Sequence, residues 1–239
     1  MKLKVALFIV AICTIGITAQ TVTVTPSKVT YKRPRPQNEY KKTFTITYPK
    51  VKAATPALSR RMERIFSYES VLGLRLNEEL TKYQWLEEAD FDVNYNKNGI
   101  LCMQLSMDGS AAYPDGIIKV ICADTTLGVR AGPTDVFTNI PGLTAVVRKV
   151  QEKEMRDALP RIKKDEPEMD RPEELFGDRH FTEKDLDGYE IGDNGVTFHY
   201  DYEFIHAARA LEPEGTFFFT WAQLRPYIKK GGLLARVAR

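Results

Sequence analysis

Residues 196–206, VTFHYDYEFIH, gather the side chains best suited to chemistry: two of the chain's three histidines, two carboxylates and two tyrosines. Imidazole and carboxylate groups can hold zinc, and the same types serve general acid–base hydrolysis. In an extended strand alternate side chains share a face. His199, Asp201 and Glu203 would therefore project together, while Phe198, Tyr200, Tyr202 and Phe204 project to the other side. That division is what a half-buried strand requires, with aromatics inward and polar groups in water. Alternate residues stand about 6.6 Å apart, so neighbours converge on one ion only if the strand bends, and His206 falls beyond it. The reading adopted is an amphipathic strand, with no catalytic, cofactor-binding or metal-ligating residue assigned. A hydrolase working from the His199, Asp201 and Glu203 face is the alternative.

Other constellations are weaker. Ser70, Ser106 and Ser110 lack the Gly-x-Ser-x-Gly context of a nucleophile elbow. Glycoside hydrolysis needs two carboxylates about 5–10 Å apart, and with 32 acidic residues some pair meets that by chance. Neither a phosphate-binding loop nor a dinucleotide fingerprint is present. Tyr113-Pro114, on what reads as a wide loop from Asp108 to Gly116, could offer an aromatic ring to a partner or glycan, or be pinned inside the fold.

The elements that must position these residues follow from periodicity. Residues 42–49 alternate as a strand stopped by Pro49. Thr55-Pro56 then opens a helical pattern carried by Leu58, Met62, Ile65, Phe66, Val71, Leu72, Leu76 and Leu80, which Gly73 interrupts or kinks. A meander follows: a strand through Phe91–Tyr95, a turn at 96–99, strands over 100–107 and 117–124, and a turn at 125–128. Leu143 to Leu159 has helical spacing ended by Pro160. Residues 163–178, rich in Pro, Glu and Asp, read as an exposed excursion. A hairpin over 189–202, a strand over 217–221 and a short helix stopped by Gly231-Gly232 complete the chain. The order, strand–helix–meander then helix–hairpin–strand–helix, predicts an α+β fold of antiparallel sheets with flanking helices in two lobes. The expected division is signal peptide 1–19, extended mobile lead-in 20–41, N-terminal lobe 42–137 and C-terminal lobe 138–239.

A basic start followed by a 13-residue apolar run from Val5 to Ile17, then Thr18-Ala19, has the three parts of a secretory signal. The mature chain is expected in the periplasm or outside the cell, with no membrane span after cleavage. Removing Lys2 and Lys4 brings the formal charge from +2 to zero, so no overall bias toward nucleic acid remains. Residues 21–66 nevertheless carry eleven Lys or Arg against two Glu, including Lys32-Arg-Pro-Arg35. That imbalance reads as a solvated tail and helix face, or as an anion-seeking segment. Cys13 leaves with the signal. If the strands over 100–107 and 117–124 form a hairpin, Cys102 and Cys122 sit nearly opposite each other. A one-residue slip would put their sulfurs on opposite faces, so a disulfide and two buried free thiols both stay open.

Tyr48-Pro49 before a helix, Ser110-Ala-Ala-Tyr-Pro114, Asp124-Thr-Thr-Leu-Gly128, Asp135-Val-Phe137 and the closing Thr197-Phe-His-Tyr-Asp-Tyr-Glu-Phe … Trp221-Ala-Gln-Leu-Arg-Pro-Tyr227 occur in that order. Together, over roughly residues 44–230, they resemble the exported domain of unknown function in the sensor region of lysozyme-sensing anti-sigma factors. A similar region precedes the catalytic domain of some peptidoglycan deacetylases. The resemblance implies a two-lobed α+β domain that acts by binding. Departures from both are expected: a chain without a cytoplasmic segment and membrane helix ahead of the domain or a deacetylase domain after it, and with residues 205–215 in place of a Pro-Tyr-rich turn. The expected function is a non-catalytic binding or sensor-like module of the bacterial cell envelope. No cofactor is expected, and the ligand is left unassigned between a protein such as a lysozyme-like enzyme and peptidoglycan.

Overall fold

A computed structural model describes residues 21–37, 40–110 and 114–238; the signal region, Cys13 and Tyr113 lie outside them. Strands β1 (Thr23–Lys32) and β2 (Thr43–Lys52) form an antiparallel hairpin. Residues 23–32 of the expected mobile lead-in thus form a paired strand. Its Pro26 faces Pro49, which an edge position tolerates because the missing N–H is not needed there. The turn back is anchored by Arg33, only 1% exposed despite its place in the basic run. Its guanidinium donates to the carbonyls of Glu79, Lys41 and Leu86 and lies 4.8 Å from the Phe44 ring centre. Burial lowers its pKa, opposed by the Glu79 and Glu87 carboxylates. This arginine is therefore structural, not part of a solvated tail.

Thr55 caps α1 (Pro56–Ile65) by accepting from Leu58 N–H, and Pro56 supplies a φ suited to the first turn. Helices α2 (Tyr68–Val71) and α3 (Leu76–Thr81) follow, separated around Gly73, whose φ of 70° ends the helical path. The three helices cross over to β3 (Leu86–Lys97), which meets β2 in a short parallel contact. Asn98 and Gly99, at φ 55° and 75°, make the two-residue turn into β4 (Ile100–Ser110). β4 then pairs with β5 (Pro114–Asp124) in unbroken register as far as Ser110 opposite Pro114. Residues 108–110 and 114–116 of the expected wide loop are therefore paired strand. After the two-residue β6 (Val129–Arg130), the first sheet has the order β1-β2-β3-β4-β5-β6.

Helices α4 (Pro133–Val136) and α5 (Ile140–Asp165) lead to a second, antiparallel sheet of β7 (Tyr189–Ile191), β8 (Gly195–His199) and β9 (Thr216–Thr220), followed by α6 (Trp221–Leu224). Helix α5 runs through Pro160 to Asp165 instead of ending at the proline. An internal proline costs about 3 kcal/mol. Here the last turns are held by buried Ala158 and Ile162, and by Arg161 donating to the Leu211 carbonyl at 2.9 Å. Tertiary contacts override the local signal. The excursion after α5 is mostly exposed but tied down by buried Phe176, which meets the rings of Tyr202 and Phe204 edge-on.

The first sheet is covered on one face by α1–α3, through Phe44, Ile46, Met62, Phe66, Leu101 and Met103. At one end of the other face Tyr95, Ile100, Cys102 and Cys122 pack against Tyr189, Val196, Phe198 and Phe217 of the second sheet and Leu143 and Val147 of α5. The result is α+β with mainly antiparallel sheets and flanking helices, as the element order predicts.

Candidate functional site

β8 ends at His199, one residue into the chemical cluster. Beyond it the burial alternation persists without a ladder: Phe198, Tyr202 and Phe204 are buried, Tyr200 is half-buried, and Asp201 and Glu203 are exposed. The aromatics point inward because they fill the seam against Phe176 and Phe181. The polar side does not converge. His199 Nε2 lies 3.2 Å from Glu190 Oε2 across the hairpin. Asp201 Oδ1 accepts from Glu203 N–H at 2.7 Å, and Glu203 adopts φ 51°, which turns the chain away. His206 begins a 3-10 turn, His206–Leu211, near Asp115. Among the described residues no three His, Cys, Asp or Glu side chains gather as a metal site.

The hydroxyls are likewise engaged locally. Ser67 and Ser70 bond each other at 3.1 Å, Ser106 reaches the Asp90 carbonyl at 3.4 Å, and Ser110 donates to Glu87 at 2.6 Å. Cys102 and Cys122 face each other in the β4–β5 register and their sulfurs are bonded. Both are fully buried beneath the second sheet, which makes this a structural bond, remote from solvent chemistry.

What the topology does create is a cleft of about 750 Å³ beside β5. Its floor is formed by Gln104, Ile118 and Val120 on the sheet face left bare where the second sheet stops. Ser70 and Val71 of α2 form one rim. The opposite wall comes from Asp185–Gly188, the end of β8 and residues 212–215. Asp185 is fixed there by bonds from the Thr182 N–H and hydroxyl, at 2.6 and 2.7 Å. Arg130 pairs with Asp187 at one end of the cleft, and Arg209 pairs with Asp115 near the β4–β5 tip. The Arg209 hydrogen bond, with the Gly116 N–H, lowers the Asp115 pKa below the usual carboxylate value.

The wall is acidic. Asp201 and Glu212 stand within hydrogen-bonding reach of each other, and burial, then the Asp201 charge and contact, raise the Glu212 pKa. The Phe204 N–H and Arg209 oppose that rise. Of the sequence candidates, His199 and Asp201 reach this cleft, whereas Glu203 is not part of its lining. Ile118, Arg130, Asp187 and Glu212 were not singled out by sequence. The one available signal was the acidic, Pro-containing stretch at 212–215, whose neighbours in space depend on long-range packing.

No protein-family model matches the chain, and no curated protein matches it. Among solved structures it is similar to a DUF3298 family protein from Pseudomonas aeruginosa PAO1, at 13% identity and TM-score 0.57, covering 88% of this chain and 96% of that one. It is also similar to a DUF3298 family member from Bacteroides fragilis NCTC 9343, at 11% identity and TM-score 0.53, covering 90% and 97% respectively. At these identities the likeness is one of fold: nearly the whole chain shares the architecture of a domain of unknown function.

Proposed function

We propose that this protein is an exported, non-catalytic binding module of the bacterial cell envelope, and that it holds its ligand in the cleft beside β5. The observation that carries the reading is the cleft itself. It is large enough for several side chains or sugar rings, and Arg130, Asp187 and Asp185 of its lining are committed to fixing the walls. Rigid walls and a solvent-open floor suit recognition. The signal-like first 19 residues and the resemblance to the anti-sigma sensor region support an envelope role, with a lysozyme-like protein or peptidoglycan as ligand.

Two measurements test this. Expressed with its own N-terminus, the protein should be recovered outside the cytoplasm beginning at Gln20; a cytoplasmic product retaining Met1 overturns the export assignment. Mature protein should capture a specific envelope component, and the Asp201→Lys, Glu212→Lys double variant should not. Equal capture by both removes the cleft from the function.

A second reading has one observation in its favour. A carboxyl with a raised pKa beside a second carboxyl is an arrangement used for general acid–base hydrolysis. If the protein cleaves wall polymer, purified protein releases soluble fragments from peptidoglycan and Glu212→Gln does not. Absence of release by the wild type rejects this reading.

A further inference from the structure

Strand β5 is paired with β4 along its whole length, but on its other side only Ala123 and Asp124 pair with β6. The Ala131 N–H donates to the Cys122 carbonyl at 2.9 Å, so the backbone polar groups of Cys122 point away from β4. In an antiparallel strand this orientation repeats every second residue, so those of Val120, Ile118 and Gly116 point outward too. The Gly116 N–H is covered by the Asp115 carboxylate at 2.9 Å. For Ile118 and Val120 no described residue takes the N–H or the C=O.

This bare edge lies within the cleft, between Ser70 and Val71 of α2 on one side and the acidic wall on the other. The Ile118 side chain, 60% exposed, stands on the floor. Natural sheets cover or blunt such edges because an unpaired strand templates another. Here the two ends of the edge are closed by the Arg130–Asp187 and Arg209–Asp115 pairs, and the middle is open.

We propose that this edge takes up one extended segment of a basic partner protein as an added strand in line with β6. The proposal deepens, and rests on, the reading of the cleft as a ligand site. An extended polypeptide is the occupant because only a peptide backbone supplies donors and acceptors at the strand repeat. The unpaired outward groups, those of Ile118 and Val120, lie in a run from Ile117 to Ile121 about 13 Å long, enough for about four residues. The positive charge follows from the wall. Asp185, Asp201, Glu212 and Glu214 line the same cleft, Arg130 is engaged by Asp187 and His199 by Glu190, and among the described lining residues the exposed Lys119 and Lys184 oppose them. By the strand alternation Lys119 projects with Ile121 toward the helices, leaving the acids to meet alternate lysines or arginines of the incoming strand.

The probe is a capped hexapeptide of alternating Lys and Val, compared with its Glu and Val counterpart and with a Lys and Val version N-methylated at every second residue. The first should protect the Ile118 and Val120 amides from hydrogen exchange and bind more weakly as salt rises; the other two should bind at least about tenfold more weakly. Ile118→Pro removes an outward N–H, a change edge strands accept, and should abolish binding with the circular dichroism spectrum unchanged. No protection at millimolar peptide, or equal binding of the N-methylated peptide, overturns the proposal even if the proline variant misfolds. A wild-type dimer in sedimentation that Ile118→Pro dissolves makes the occupant a second copy and also overturns it. If Ile118→Pro still captures the envelope component that the Asp201→Lys, Glu212→Lys variant loses, edge pairing fails while the cleft reading stands.

Discussion

Reduction of the Cys102–Cys122 bond should destabilise the protein by about 3 kcal/mol through the unfolded chain. The two cysteines are 20 residues apart, and opening a loop of that length returns entropy to the unfolded ensemble worth about 3 kcal/mol at about 25 °C. The native hairpin should survive reduction, because β4 and β5 are also held by an unbroken ladder on both sides of the bond. For a chain of this size each kcal/mol moves Tm by about 2–4 °C, so a fall of about 6–12 °C is expected. Urea unfolding of the same protein with and without reductant is the assay, because no side chain is changed. The reduced form should unfold at lower urea and with a steeper dependence, since its freed chain exposes more surface. Coincident curves, or two free thiols titrated in unfolded protein that was never reduced, would refute the reasoning.

Gly215→Ala should cost about 2–5 kcal/mol: its φ is 62° and a Cβ there would stand 1.9 Å from the Tyr200 carbonyl oxygen. A urea-derived loss below about 1 kcal/mol contradicts that close approach. Gln151, fully buried in α5, accepts from the Phe181 N–H at 2.6 Å. Gln151→Ala leaves that donor unpaired and should lower stability by about 1–3 kcal/mol, a loss that Gln151→Glu should partly restore because it keeps an acceptor. Glu212 has a raised pKa in the fold, so its protonated form is favoured by folding. Its contribution is greatest below the ordinary Glu value of about 4.3 and declines as pH climbs through the raised value. Glu212→Gln should therefore raise Tm at neutral pH and match wild type in acid; a variant less stable than wild type at neutral pH opposes the assignment.

Local pattern determined much of this protein. Local periodicity located β2 to β5 and the strands of the second sheet but missed β1 and β6, Thr55-Pro56 marked the start of α1, and Asn98-Gly99 marked a tight turn. The inward aromatics of residues 198–204 were legible for the same reason, since burial follows side-chain chemistry even where the ladder has stopped. Long-range packing decided the rest. Pro160 reads as a stop, yet α5 continues because Ile162 finds a core beyond it. Arg33 reads as solvated, yet three carbonyls from distant segments surround it. The cysteine pairing depended on a register that a one-residue slip would have reversed. The cleft could not be read at all. It exists where the second sheet ends short of β5, and joins α2, β5 and residues 185–188 and 212–215, which no periodicity relates. Sequence neighbours determine backbone preference and which side chains avoid water, whereas a binding surface is made by segments that meet only after the chain has folded.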